Sequence, residues 1–354
     1  MTFKNRGFTL VELVLVTAVL GLLVAVVAPL TRSMLDATAK TSELRNREVN
    51  ASLAQAMLDW SAAQTAAQNG KLPAPVIGPS SVAAAQRRRN MPVALDGTLA
   101  NPDNTASVLH YLSRAGIPAT EHTSERMKDG TTAGRIRVYQ RLAGIMQEAP
   151  LFPGIVPSAT LTYDLGVLYI TECLADAACS RQNPPNGNAL LNEAWEAAAT
   201  DTAVVRFSTL PLQMSKLEKT SRQMSRTMEA LKAYRQASEN KRTSASPAEL
   251  PHPKPDSLVI SAHGGGCWPG EGWFRLNDVW VGDTTLLEKL GLPADYGKTA
   301  WGANIEYCAD YVEQGYESMQ AVGIYRAALR INRAMGAGND PDAWTPENNI
   351  LLVF

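Results

Sequence analysis

Between Leu13 and Leu30 the chain runs for eighteen residues without a charged side chain, interrupted only by Pro29. As a helix rising ~1.5 Å per residue, this run measures about 27 Å, close to the ~30 Å hydrocarbon thickness of a bilayer. It is the one stretch apolar enough to span, which excludes a multi-span transporter or channel. Lys4 and Arg6 precede it and Arg32 follows. The positive-inside rule therefore places the N-terminus in the cytoplasm and the rest of the chain outside. A secretory signal peptide shares the basic start and apolar core, with Ala25 to Ala28 as its small-residue cleavage site. Against that stands Glu12 at the head of the run, since an intramembrane carboxylate costs roughly 2.5–3.5 kcal/mol and is usually kept for a partner. The alternative for Glu12 is snorkelling to the headgroups.

The full chain has 354 residues, 45% of them hydrophobic and 19% charged, which suits folded globular matter of up to two domains. Lysine plus arginine number 33 against 34 acids, so no net field recommends a nucleic-acid partner. The Arg87-Arg88-Arg89 triplet reads as a solvated turn.

The string Gly7-Phe8-Thr9-Leu10-Val11-Glu12, followed by the apolar run and Pro29, resembles the type IV prepilin signature of pilus subunits and pseudopilins. The resemblance implies cleavage between Gly7 and Phe8 by a membrane prepilin peptidase and N-methylation of Phe8. It further implies filament assembly through Leu10, Glu12 and Pro29. Glu12 would meet the methylated amine of a neighbouring subunit, and Pro29 would kink or locally melt the helix. The implied partners are the peptidase, other pilin or pseudopilin subunits, the inner-membrane assembly platform and, before assembly, membrane lipid. The implied location is the bacterial inner membrane with periplasmic heads, then a pilus or pseudopilus.

Helical patterning continues beyond the span, predicting one stalk helix from Phe8 to about Asn69, stopped by Asn69-Gly70 before Leu72-Pro73-Ala74-Pro75. The fold class expected is α+β, a long transmembrane stalk helix with a pilin-like head, antiparallel sheets and a duplication of that head. Several repeats suggest the duplication. Met214, Leu217, Met224, Met228 and Leu231 build a second apolar helical face. Leu250-Pro251-His252-Pro253 echoes Leu72 to Pro75, Gly291-Leu292-Pro293-Ala294 echoes Gly116-Ile117-Pro118-Ala119, and the step from Gly302 to Tyr307 echoes that from Gly134 to Tyr139. The alternative is one head plus an unrelated C-terminal module. The boundaries read as leader 1–7, stalk 8–70, first head 71–188, helical connector 189–247 and second head 248–354. Strands are expected at Arg135–Arg141, Thr160–Thr171, Ser257–Ser261 and Ile350–Phe354.

Four cysteines, Cys173, Cys179, Cys267 and Cys308, face a compartment expected to be oxidising. Three pairings are open; Cys173 with Cys179 and Cys267 with Cys308 would keep each bridge inside one head. No Cys-x2-Cys spacing supports zinc, and His110, His122, His252 and His263 lack ligand spacing. Neither a nucleophile elbow nor a P-loop nor a dinucleotide fingerprint occurs, so no enzyme, cofactor or metal is expected. Five of the seven tryptophans lie in the last 87 residues. Trp268 and Trp273 are the candidate binding aromatics, with core packing as their other use. Thr299 to Tyr307 looks like an element of major pseudopilins that begins Asp-Pro; Thr299-Ala300 stands in its place, so no metal ligands carry over. The expected function is a structural, minor subunit of a type IV pilus or related filament. The alternatives are an adhesin head on a prepilin stalk and a type II secretion pseudopilin.

Overall fold

The computed structural model describes residues 10–64, 70–73, 93–94, 136–155, 157–171, 196–197, 202–240, 253, 272–311, 326–336, 338–341 and 346–354. Helix α1, Leu10–Ala63, is 54 residues long, about 80 Å at ~1.5 Å per residue. In its apolar half, Thr17 and Thr31 donate their hydroxyls to the carbonyls of Val14 and Val27 at 3.0 Å. Hydroxyls satisfied within their own helix need no water, the condition for placing threonine in apolar surroundings. The other half turns amphipathic: Leu53, Ala54, Ala56 and Met57 are buried on one face.

That face covers a sheet of β1 (Val93–Ala94), β2 (Ile136–Ala149), β3 (Ala159–Thr171) and β4 (Thr202–Ser208), in that order and antiparallel throughout. Leu72, Tyr139, Leu168 and Phe207 complete the apolar cluster beneath the helix. Asn50 donates from Nδ2 to the Ala203 carbonyl at 2.7 Å, tying α1 to the outer strand β4.

Helix α2, Leu210–Asn240, follows β4 almost without a loop and buries Leu217, Met224 and Leu231. Its positions repeat every seven residues, so they form one stripe. The stripe lies on a second core containing Leu276, Tyr307, Leu329 and Ile350. The sheet here is β5 (Phe274–Arg275), β8 (Glu306–Tyr311), β9 (Arg326–Asn332) and β11 (Asn349–Val353), again in that order and antiparallel. A small hairpin, β6 (Trp280–Val281) with β7 (Thr284–Thr285), and the short helix α3 (Leu286–Lys289) lie between β5 and β8.

The two sheets follow one plan down to particular residues. Val93 pairs with Tyr139 as Phe274 pairs with Tyr307, and Tyr139 faces Leu168 as Tyr307 faces Leu329. The Tyr139 hydroxyl donates to the Pro73 carbonyl at 2.9 Å, and the Tyr307 hydroxyl to the Pro253 carbonyl at 3.1 Å. Pro253 therefore corresponds to Pro73, so the repeated tripeptide is Pro-x-Pro at 73–75 and 253–255. The echo expected at Leu250-Pro251 is displaced by two residues.

The units are stitched together by β10 (Ala334–Met335), which leaves β9 through Arg333 and pairs in parallel with Thr160 and Leu161 of β3. Arg333 donates from Nε to the Ser158 carbonyl at 3.1 Å and pairs with Glu148. Leu151 and Leu161 of the first unit thereby join the second unit's core.

Three expectations change. The segment read as a helical connector from 189 contains β4, and helix begins only at Leu210. Thr202 to Ser208, Thr-Ala-Val-Val-Arg-Phe-Ser, is β-branched and aromatic, and its edge-on pairing with β3 outweighs any continuation of the neighbouring helical pattern. The second apolar helical face expected there belongs to α2, whose Leu217, Met224 and Leu231 cover the second sheet. Of the kink or locally melted turn expected at Pro29, the melted turn is absent, since helical backbone continues through it, and α1 ends at Ala63 rather than running to about Asn69. The strands expected at 135–141, 160–171 and 350–354 appear as β2, β3 and β11, whereas Ser257–Ser261 lies outside the described residues.

Candidate assembly helix and the junctions that hold it

Where the stalk helix leaves for the first sheet, a buried carboxylate gathers the backbone. Asp164, 2% exposed on β3, accepts from Leu72 N at 2.7 Å through Oδ2 and from Gly144 N at 3.0 Å through Oδ1. Arg141 pairs with the same Oδ2 at 3.0 Å. A buried charge matched this way is stable in place, and removal of either partner would leave the other uncompensated. Thr209, between β4 and α2, donates from Oγ1 to the Gly70 carbonyl at 2.7 Å and accepts from Asp164 N at 2.9 Å. Asp164 thus fixes the stalk exit and the start of α2 at one point.

Gly70 has φ +91°, a conformation that glycine adopts without strain. A Cβ there would lie 1.6 Å from Gln213 Nε2. Gln213, in the first turn of α2, is 3% exposed and accepts from Trp301 Nε1 at 2.6 Å. The stalk exit, α2 and the second unit's Trp301 are therefore consecutive layers of one contact. Lys216 stands over the Trp301 ring at 5.9 Å, and its partial burial lowers its pKa to about 8. Burial likewise pushes the phenols of Tyr139 and Tyr307 well above the ordinary tyrosine value; Arg141 opposes the rise at Tyr139.

On the other face of the second sheet, Arg330 pairs with Glu306 at 2.6 Å, and its guanidinium lies 4.3 Å from the centre of the Trp273 ring. Trp273 is half-buried and its ring also meets Tyr311 at 6.0 Å. The indole therefore shields a nearly buried ion pair, the packing use anticipated for it as an alternative to ligand stacking. Trp280 on β6 is the exposed indole among the described residues, at 45%.

The family model described as prokaryotic N-terminal methylation motif matches residues 2–28. The chain carries the type IV pilin and pseudopilin signature. The match encloses Gly7, Phe8, Leu10 and Glu12 and ends one residue before Pro29. No curated protein and no solved structure matches the chain. Gly7 and Phe8 lie outside the described residues, as do Cys173, Cys179, Cys267, Trp268, the four histidines and the arginine triplet. Leu10, Glu12 and Pro29 belong to α1 by backbone. Cys308, fully buried on β8, is disulfide-bonded; its partner lies outside the described residues. Among the described residues, no helix is long and apolar enough to cross a membrane and no group of three or more His, Cys, Asp or Glu side chains could hold a metal ion.

Sequence reasoning missed Asp164, Gln213 and the Arg330–Glu306 pair. An isolated acid, amide or arginine in a strand or helix has no local pattern that separates it from a solvated one. Trp301 lay in a segment singled out by its motif, although nothing pointed to Gln213 as its acceptor.

Proposed function

We propose that this chain is a structural, non-enzymatic minor subunit of a type IV pilus or related filament, cut after Gly7, methylated on Phe8 and assembled through α1. The observation that carries this reading is the methylation motif at residues 2–28 running directly into a 54-residue helix whose far end packs on a folded sheet. The motif supplies processing and the helix supplies the polymerising element. On this reading Leu13 to Leu30 holds the precursor in the inner membrane, with both folded units periplasmic. Val14, Leu15, Val19, Leu20 and Leu23, all about half exposed in the isolated chain, then face lipid and afterwards neighbouring stalks. Glu12 sets the register, a role for which an intramembrane charge is worth its cost. Cys267 is the partner assigned to Cys308, and Cys173 pairs with Cys179. A secretion pseudopilus is the other filament the motif serves. The adhesin reading draws its support from Trp280, whose exposed indole sits on the β6–β7 hairpin.

The test is intact-mass and N-terminal peptide analysis of membrane-derived protein from cells with and without the prepilin peptidase. A mature chain beginning at methyl-Phe8 in the first strain alone is expected. An uncut chain in both strains overturns the proposal. A four-proton mass shift on reduction is the signature of the two disulfides.

A further inference from the structure

Two units joined by few crossings ordinarily move relative to each other unless their interface is extensive and apolar. Here the second unit is gripped at two separated places. At the first, Gly70 receives Thr209 through its carbonyl and packs against Gln213, which in turn holds Trp301; close by, Thr220 Oγ1 accepts from Ala300 N at 3.0 Å. At the second, β10 adds in parallel to β3, Thr160 N donates to the Arg333 carbonyl at 2.8 Å, and Arg333 donates to the Ser158 carbonyl. Between the two places runs a continuous apolar core to which both units contribute. Two points of attachment remove rotations that one would leave free.

We propose that these junctions make the second unit a rigid extension of the stalk, with Gln213 and Arg333 as positioning residues that fix its orientation to α1. The second unit then keeps one orientation relative to α1, and Trp280 is presented in one direction. Nothing in this depends on whether the filament is a pilus or a pseudopilus, or on cleavage at Gly7.

The experiment is pulsed dipolar spectroscopy on the full chain in detergent, with ketone-reactive spin labels on unnatural residues introduced at exposed Leu44 and Glu288, leaving the cysteines untouched. A single narrow distance distribution is expected for the otherwise unaltered chain. Gln213→Ala with Arg333→Ala should broaden it at least about twofold, towards that of loosely joined domains. Trp301→Phe, which removes the indole donor and shrinks the ring but leaves Gln213 and Arg333 in place, should broaden it less. A broad distribution in the unaltered chain overturns the proposal whatever the variants do. Widths unchanged in both variants overturn the positioning role of Gln213 and Arg333.

Discussion

Gly70→Ala offers the sharpest test of the stalk-exit geometry. The backbone contribution comes from φ +91°, a left-handed conformation that costs a residue with a Cβ about 1–2 kcal/mol. The contact contribution comes from the new methyl, which would overlap Gln213 Nε2 at 1.6 Å, so Gln213 must swing away. Its Oε1 is the acceptor for Trp301 Nε1, and an orphaned buried donor costs about 1–3 kcal/mol. Together the variant should lose about 2–5 kcal/mol of stability. Gln213→Ala alone should lose only the second contribution. In the double variant the methyl has room and the Trp301 bond is lost once rather than twice, so the combined loss should fall short of the sum by about 1–3 kcal/mol. Urea unfolding of the detergent-solubilised chain, followed by tryptophan fluorescence, measures all four corners of this cycle. A Gly70→Ala loss under about 0.5 kcal/mol, or additivity within that margin, would refute the reasoning.

Other consequences can be checked on the same protein. Tyr139→Phe and Tyr307→Phe each remove one buried bond to a proline carbonyl and should cost similar amounts, about 0.5–1.5 kcal/mol in urea titrations; a large cost in only one unit would contradict the equivalence of the two. Both phenols have raised folded-state pKa values, so the folded chain holds those protons more tightly than the unfolded one. Stability from this source is complete below pH ~10 and is lost as pH rises further; thermal melts of the two phenylalanine variants should show a shallower alkaline decline. Lys216 has the opposite sign. With its folded pKa lowered to about 8, stability gains from deprotonation between there and the unfolded value near 10.4, a rise that Lys216→Met should abolish in melts across that window. Arg330→Met leaves Glu306 nearly buried without its cation and should cost about 3–5 kcal/mol, read from the urea midpoint and the near-ultraviolet signal of Trp273.

Local rules made much of this architecture legible in the sequence. The apolar run and its flanking charges, the methylation motif, the long helix, and the α2 stripe at Leu217, Met224 and Leu231 depend on residues a few positions apart. Strands β2, β3 and β11 were legible for the same reason, since alternation of side chains needs no distant partner. Tertiary structure decided the rest. Thr202 to Ser208 became a strand because β3 offered it an edge, and α2 became a core helix because a second sheet lay beneath it. Pro253, rather than Pro251, matches Pro73 because a phenol can reach only the carbonyl that folding brings to it. Gln213 and Gly70 are separated by more than a third of the chain, and Asp164 reaches Leu72 across 92 positions. Periodicity reports which face of an element is apolar, whereas the partner of a buried polar group is set by close packing in three dimensions, which no local pattern encodes.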